Sequence, residues 1–281
     1  DSAMYNAKKM GKNTYSFYDQ KFIREALVHT QMVTNLKKAL QNDELELYYQ
    51  SQNSPFTDKI VGIEALLRWK SEAGIISPAV FIPVAEESGL IIEIGNLVLK
   101  QGCQAASSWH KKGIFNGKVA INISSKQLSH PAFLNNLTDT IKETNCNPEW
   151  IELEITESSL MGNPQQAILL LEQIKKRGFS ISMDDFGTGY SSLSYIKDLP
   201  IDKLKIDQSF IRNIKNNPKN QAIVRTTIAL AKGLSIVVLA EGVETLDELE
   251  FLKTENIDSV QGYYYTQPMP FKEMEELLQK T

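Results

Sequence analysis

The chain has 281 residues, of which 42% are hydrophobic, enough for one large core in a single barrel-sized domain. A formal charge of −4 leaves no bulk basic footprint for duplex nucleic acid. No apolar run approaches membrane-spanning length and no signal peptide is visible, so the segment is expected in the cytoplasm without membrane contact of its own, whether or not its parent protein is anchored.

Residues 1–18 read as the end of another domain. A short amphipathic helix carrying Ala3, Met4, Ala7 and Met10 stops at Gly11, and this piece cannot bury its apolar face alone. Gln20–Asn42 has helical spacing, with Phe22, Ile23, Leu27, Val33, Leu36 and Leu40 as apolar positions, and residues 19–35 are expected to be a helical linker into a main domain over 36–281. From Glu44 a rhythm of strands and helices begins. The expected strands are Leu45–Gln50, Ile60–Trp69, Val119–Ser124, Ile151–Thr156, Phe179–Asp185, Lys203–Asp207, Ile236–Glu241 and Ser259–Tyr263. Helical patterns fill most gaps: Pro78–Glu87, Ile91–Lys111, Lys126–Asn145, Pro164–Arg177, Asn220–Leu234, Leu246–Thr254 and Phe271–Gln279. About eight strands with intervening helices point to an α/β fold of the (β/α)8 barrel type, with an open doubly wound sheet as the rival.

Side-chain parity separates the two. Inward residues of a barrel strand recur at every second position. Glu64 and Arg68 share a face, as do Asn122 and Ser124, Glu152 and Glu154, and Lys205 and Asp207; Asp184, Glu241 and Gln261 fall on the polar parity of their own strands. Helices cover the outside of a barrel, so these polar faces are expected to point into a shared interior or its rim. Buried carboxylates cost several kcal/mol each unless paired or bound to a cation. Phe179–Ser192, FSISMDDFGTGYSS, is the focus, because a strand ends there in Asp184 and Asp185 before a glycine loop. On its own that stretch reads equally as a solvated turn.

The set Glu64, Asn122, Glu154, Asp184, Asp185, Lys205, Glu241 and Gln261 holds five carboxylates and one lysine. Divalent cations would compensate it, and all-oxygen ligation selects Mg²⁺, Mn²⁺ or Ca²⁺. More ligands are present than one Mg²⁺ takes, which favours two ions about 3.5–4 Å apart acting on a phosphodiester. Lys205 would orient water or neutralise charge, or else serve as a structural partner of Asp184 or Asp207. Arg68 would fork a phosphate, or pair with Glu64. Glu152 reads as structural, and Asp202 and Asp207 as solvated or helix-capping. His29, His110 and His130 make no zinc constellation, and Cys103 and Cys146 read as buried reduced thiols. DFG without a Gly-rich loop, a VAIK strand or an HRD loop excludes a kinase, and no P-loop is present.

EALLRW at 64–69, NIS at 122–124, EITES at 154–158, DDFGTGYSSLSYI at 184–196, LPIDKLKID at 199–207, AEGVET at 240–245 and QGY at 261–263 strongly resemble the EAL domain, a family that contains cyclic di-GMP phosphodiesterases. DSAMYNAKKMGKN at the head resembles the C-terminal tail of a GGDEF domain. The resemblance implies a modified barrel with its first strand antiparallel, and metal-dependent hydrolysis of cyclic di-GMP to linear pGpG. It implies metal ligation by Glu64, Asn122, Glu154, Asp184 and Asp185, with Glu241 as ligand or base and Lys205 near the attacking water. Glu157 matches the residue that steadies the glycine loop, which in this family couples the site to dimerisation, so a homodimer is implied. Gln50, Leu66 and Arg68 match substrate contacts, and Gln261 a site-lining glutamine. Two Mg²⁺ or Mn²⁺ ions are expected, with Ca²⁺ inhibitory because its shell is larger and looser. A receptor that binds the nucleotide without turnover is the rival function; such members usually lose ligand carboxylates or the glycine loop, and neither is lost here. The chain departs from the family at Ser51, where QP is usual, and without proline Gln50 is expected to be less restrained.

Overall fold

The structure, a computed structural model, describes residues 20–72, 74–160, 164–187 and 196–280. Two compact units divide the chain: one combines residues up to Glu46 with Arg68–Ile94, and the larger combines Leu47–Leu67 with Gly95–Thr281. The expected domain remnant at 1–18 lies outside the described residues.

In the smaller unit, helix α1 (Gln20–Gln41) packs on α2 (Pro78–Ser88). Leu36 and Ala39 of α1 are fully buried. Pro78 opens α2, where a missing N–H costs nothing, and Gly89 closes it in the left-handed region at φ 84°. Strand β2 (Ile60–Ser71) ends here in a hairpin with β3 (Gly74–Ile76), pairing Trp69 with Ile76. The Trp69 indole meets Phe81 edge to face at 5.6 Å and donates to Glu44 Oε2 at 3.0 Å.

The larger unit holds the barrel. Its strands are β1 (Leu45–Asn53), the first part of β2, β4 (Lys118–Ile123), β5 (Ile151–Thr156), β6 (Ser180–Phe186), β7 (Lys203–Ile206), β8 (Val237–Ala240) and β9 (Ser259–Val260). They pair in the order β1-β9-β8-β7-β6-β5-β4-β2, and the pairing of β1 with β2 closes the ring of eight. Strands β2 and β4–β9 run parallel in sequence, while β1 is antiparallel to β9. An open doubly wound sheet is therefore excluded, and the antiparallel first strand is as expected. A further strand, β10 (Met269–Pro270), adds to β1 through Tyr48↔Pro270.

The alternation in the strands divides the barrel wall. Ile121, Ile123, Leu153, Ile155, Ile181, Met183, Leu204, Ile206 and Val238 are all buried on the apolar parity. The helices in this wall include α3 (Ile91–Lys111), α7 (Pro164–Lys176), α9 (Pro218–Gly233), α10 (Leu246–Thr254) and α11 (Phe271–Lys280). One expectation fails. Lys126–Asn145 is not one helix but two, α4 (Ser125–Leu128) and α5 (Phe133–Thr144). Pro131 lacks an N–H and disfavours helical backbone at His130, so the chain breaks there. Ser124 caps α4 in a capping box with Gln127 instead of joining Asn122 in the site. Cys103 and Cys146 are both buried and free, and Cys146 Sγ donates to Asn147 O at 3.5 Å.

Below the strand ends the interior stays polar. Lys203 Nζ lies 2.6 Å from Glu152 Oε1 and donates to Gln52 Oε1 at 3.0 Å. Glu152 is 2% exposed, so this ion pair is out of water. Breaking such a pair leaves a buried charge uncompensated. Glu152→Ala is expected to lower stability by about 3 kcal/mol, read as a drop of about 6–12 °C in Tm. An unchanged Tm would remove its structural role.

Candidate active site

Lys205 on β7 is the centre. It is fully buried, and its ammonium reaches carboxylates from four other strand ends. Nζ lies 2.7 Å from Glu154 Oε2 of β5, 2.7 Å from Glu241 Oε1 just past β8, 3.3 Å from Asp184 Oδ1 of β6 and 3.8 Å from Glu64 Oε1 of β2. Asp184 lies towards the end of β6 and Glu241 just past β8, Glu154 is two residues before the end of β5, and Glu64 lies where the pairing of β2 with β4 runs out; carboxyl ends of parallel strands are where barrels build their sites. Glu64 is further held by two amides: Asn122 Nδ2 donates to Oε1 at 2.7 Å and Gln261 Nε2 to Oε2 at 2.5 Å.

The two adjacent aspartates need a local device, because neighbours on a strand face opposite sides. The register of β6 on β7 shifts between Met183 and Phe186, and Asp185 takes φ 57°. This bulge breaks the alternation at the end of the strand. Asp184, Asp185 and Glu241 then each bring one carboxylate oxygen within 4.8 Å of the others, a spacing that suits a cation.

The electrostatics point the same way. Burial, then the charge of Glu64, pushes Glu154 well above the ordinary glutamate value. Burial pushes Glu241 up to about 8 against the pull of Lys205. Burial, then Asp184, raises Asp185. Burial would also raise Glu64, but Lys205 and the Gln261 and Asn122 amides outweigh it and bring it below the ordinary value. Burial alone would lower Lys205, yet Asp184, Glu154, Glu241 and Glu64 together hold it well above the usual lysine value. One ammonium is thus set against five carboxylates. Glu154 Oε1 is buried with no hydrogen-bond partner among the described residues. An orphaned carboxylate oxygen beside three convergent acids fits divalent cations, and the donors are hard oxygens of the kind magnesium, manganese and calcium take.

The remaining expected residues fall as follows. Glu157 opens the short helix α6 (Glu157–Leu160), is buried, and accepts from Gly187 N at 3.4 Å. The loop it would steady, 188–195, lies outside the described residues. Gln50 is buried against Gln261, whose Nε2 donates to Gln50 Oε1 at 3.1 Å. Leu66 and Arg68 follow Glu64 on β2, both half-buried, and Arg68 belongs to the smaller unit. Asp207 caps helix α8 (Gln208–Ile211) by accepting from Ser209 N at 2.9 Å. Asp202 caps no helix and is only about one-third exposed, at 34%: it pairs with Lys175 at the end of α7 and accepts from Ile181 N of β6 at 2.8 Å, tying the segment before β7 to both. Ser51, the departure from the family pattern, has its hydroxyl 2.8 Å from that of Thr266, a residue with no local signal in the sequence.

The family model described as "EAL domain" matches residues 33–268. The bifunctional diguanylate cyclase/cyclic di-GMP phosphodiesterase MucR of Pseudomonas aeruginosa is 37% identical over 275 residues, covering 98% of this chain and 40% of that protein. The cyclic di-GMP phosphodiesterase PdeR of Escherichia coli is 39% identical over 271 residues, 96% of this chain and 41% of that protein. This chain thus spans well under half the length of these relatives. Among solved structures, the PaMucR phosphodiesterase in complex with c-di-GMP superposes with a TM-score of 0.84 at 37% identity, over 87% of this chain and 99% of that one. The EAL domain protein of Listeria monocytogenes gives 0.78 at 33% identity, over 89% of this chain and 98% of that one. With a family match over most of its length and a shared barrel, the chain belongs to the EAL domain family.

Proposed function

We propose that this chain is a cyclic di-GMP phosphodiesterase that opens its substrate to linear pGpG. The observation that carries the reading is the convergence of Glu64, Glu154, Asp184 and Glu241 on the buried Lys205 ammonium. The printed activities of MucR and PdeR, and the c-di-GMP bound to the PaMucR structure, support the substrate.

Glu64, Asn122, Glu154, Asp184, Asp185 and Glu241 would hold two Mg²⁺ or Mn²⁺ ions. When bound, such ions polarise the scissile phosphate and acidify the attacking water. Lys205 Nζ donates to that water and offsets charge building on the phosphate oxygens. Glu241, whose carboxylate is ionised when it faces bound cations, takes the water proton on a carboxylate oxygen. Water adds to phosphorus, the bond to one ribose O3′ breaks, and that oxygen leaves as a hydroxyl by taking the proton that Glu241 accepted. Gln50, Leu66, Arg68 and Gln261 would hold the nucleotide, and Glu157 would steady the glycine loop. On the same reading the chain works in the cytoplasm as a homodimer, downstream of a GGDEF domain.

Incubation with cyclic di-GMP and Mg²⁺ or Mn²⁺ is expected to release pGpG, resolved by chromatography. EDTA should abolish the product and Ca²⁺ should suppress it. Absence of product with both metals at saturating nucleotide overturns the reading.

A further inference from the structure

Beside the carboxylate cluster, two chain segments far apart in sequence are fastened together by hydroxyls. We propose that Thr266 and Ser51 form a latch that fixes the orientation of Gln50, and that Thr266 is thereby a positioning residue setting the affinity of the site for its nucleotide. The inference rests on the reading of Gln50 as a substrate contact.

The proton arrangement follows from the distances. Asn53 Nδ2 donates to Asp58 O at 3.0 Å, which fixes the flip of that amide and leaves Oδ1 as an acceptor. Ser51 Oγ lies 2.6 Å from Asn53 Oδ1, so its single proton goes there. The 2.8 Å contact between Ser51 Oγ and Thr266 Oγ1 is then donated by Thr266. Thr266 Oγ1 in turn accepts the Ser51 N–H at 3.1 Å. Both hydroxyls are thus committed, and Ser51 is fully buried, so water cannot replace either bond.

The latch reaches the site through the next residue. Gln50 Nε2 donates to the Thr266 carbonyl at 2.8 Å, and Gln50 Oε1 accepts from Gln261 Nε2 at 3.1 Å. Turning the Gln50 amide over would set oxygen against oxygen and nitrogen against nitrogen, losing both bonds. Gln261 Nε2 also donates to Glu64 Oε2, so the fastened row runs from Ser51 to a carboxylate of the Lys205 cluster. The Thr266 hydroxyl pins the backbone that presents its own carbonyl to Gln50; with that backbone unpinned, Gln50 would regain rotamers that the nucleotide must freeze on binding. The restraint missing from the sequence pattern at position 51 is supplied here by a side chain 215 positions away.

Thr266→Val keeps the side-chain shape and deletes both bonds of Oγ1. With cyclic di-GMP and Mn²⁺ it is expected to raise KM about three- to tenfold, the scale of one hydrogen bond, with kcat held within about twofold. Thr266→Ser should restore KM. In a Gln50→Ala background Thr266→Val should add nothing, since the residue it positions is gone. Should Thr266→Val fail to fold, Ser51→Ala removes the hydroxyl half of the latch and should move KM in the same direction. An unchanged KM in a folded Thr266→Val protein, or effects that add to those of Gln50→Ala, overturns the latch. A wild-type chain that leaves cyclic di-GMP intact sinks the substrate reading instead. Amide exchange at Ser51, slow in the wild type and faster by about tenfold or more in Thr266→Val, reads the latch itself without nucleotide.

Discussion

Glu64→Ala is expected to lower kcat/KM for cyclic di-GMP by about three orders of magnitude, the scale of losing a group that organises transition-state charge. Its carboxylate is the acceptor for Asn122 and Gln261 and the farthest of the four acids from Lys205. Removing it takes one negative charge from a cluster that holds an excess of them. The metal-free protein should therefore keep its Tm, while the gain in Tm that Mn²⁺ gives the wild type should shrink or vanish, because ligand binding stabilises only the state that binds it. Thermal melts with and without Mn²⁺, beside the kinetics, check both halves. Full turnover in Glu64→Ala would remove it from the site.

Lys205→Met carries the opposite sign for stability and the same sign for activity. The methionine fills the space but leaves the buried Glu154 and the half-buried Glu241 and Asp184 without their ammonium. Breaking a buried charge pair costs about 3–5 kcal/mol, so the metal-free Tm should fall by about 10 °C. The abandoned carboxylates can escape part of that cost by taking protons. Their folded values are already raised in the wild type, for Glu241 to about 8, and would rise further. A raised carboxyl stabilises below its unfolded value and loses that contribution as pH climbs through the folded one. The variant in EDTA should accordingly be closer to the wild type at pH 5 than at pH 9. Turnover should be lost while nucleotide binding with metal persists, measured by calorimetry. Retained turnover would strip Lys205 of its catalytic role, and equal Tm values at pH 9 would deny the buried cluster its strain.

Much of this arrangement was legible along the chain because barrel strands impose a two-residue period and the hydrophobic effect acts on each strand separately. Leu153 and Ile155 against Glu152 and Glu154, or Leu204 and Ile206 against Lys205, declare a dry face and a polar one without reference to any other strand. The helix break before α5 is also written locally, in Pro131, although apolar spacing continues on either side of it. The partners of Asp202, Lys175 at the end of α7 and Ile181 N of β6, are not marked in its own segment, because only the pairing of β6 with β7 brings them near.

What the sequence determined by itself is the inventory: which strands alternate, which of them end in acids, and that a lone lysine stands among those ends. What the tertiary structure decided is the pairing. Closure of eight strands placed Lys205 within 4 Å of four carboxylates, the bulge after Met183 brought Asp184 and Asp185 towards one site, and β1 met the segment at Thr266. Period and burial are properties of a segment and survive in its letters. Register, bulge and the choice of a distant hydrogen-bond partner are set by how segments lie against one another, and no segment carries them alone.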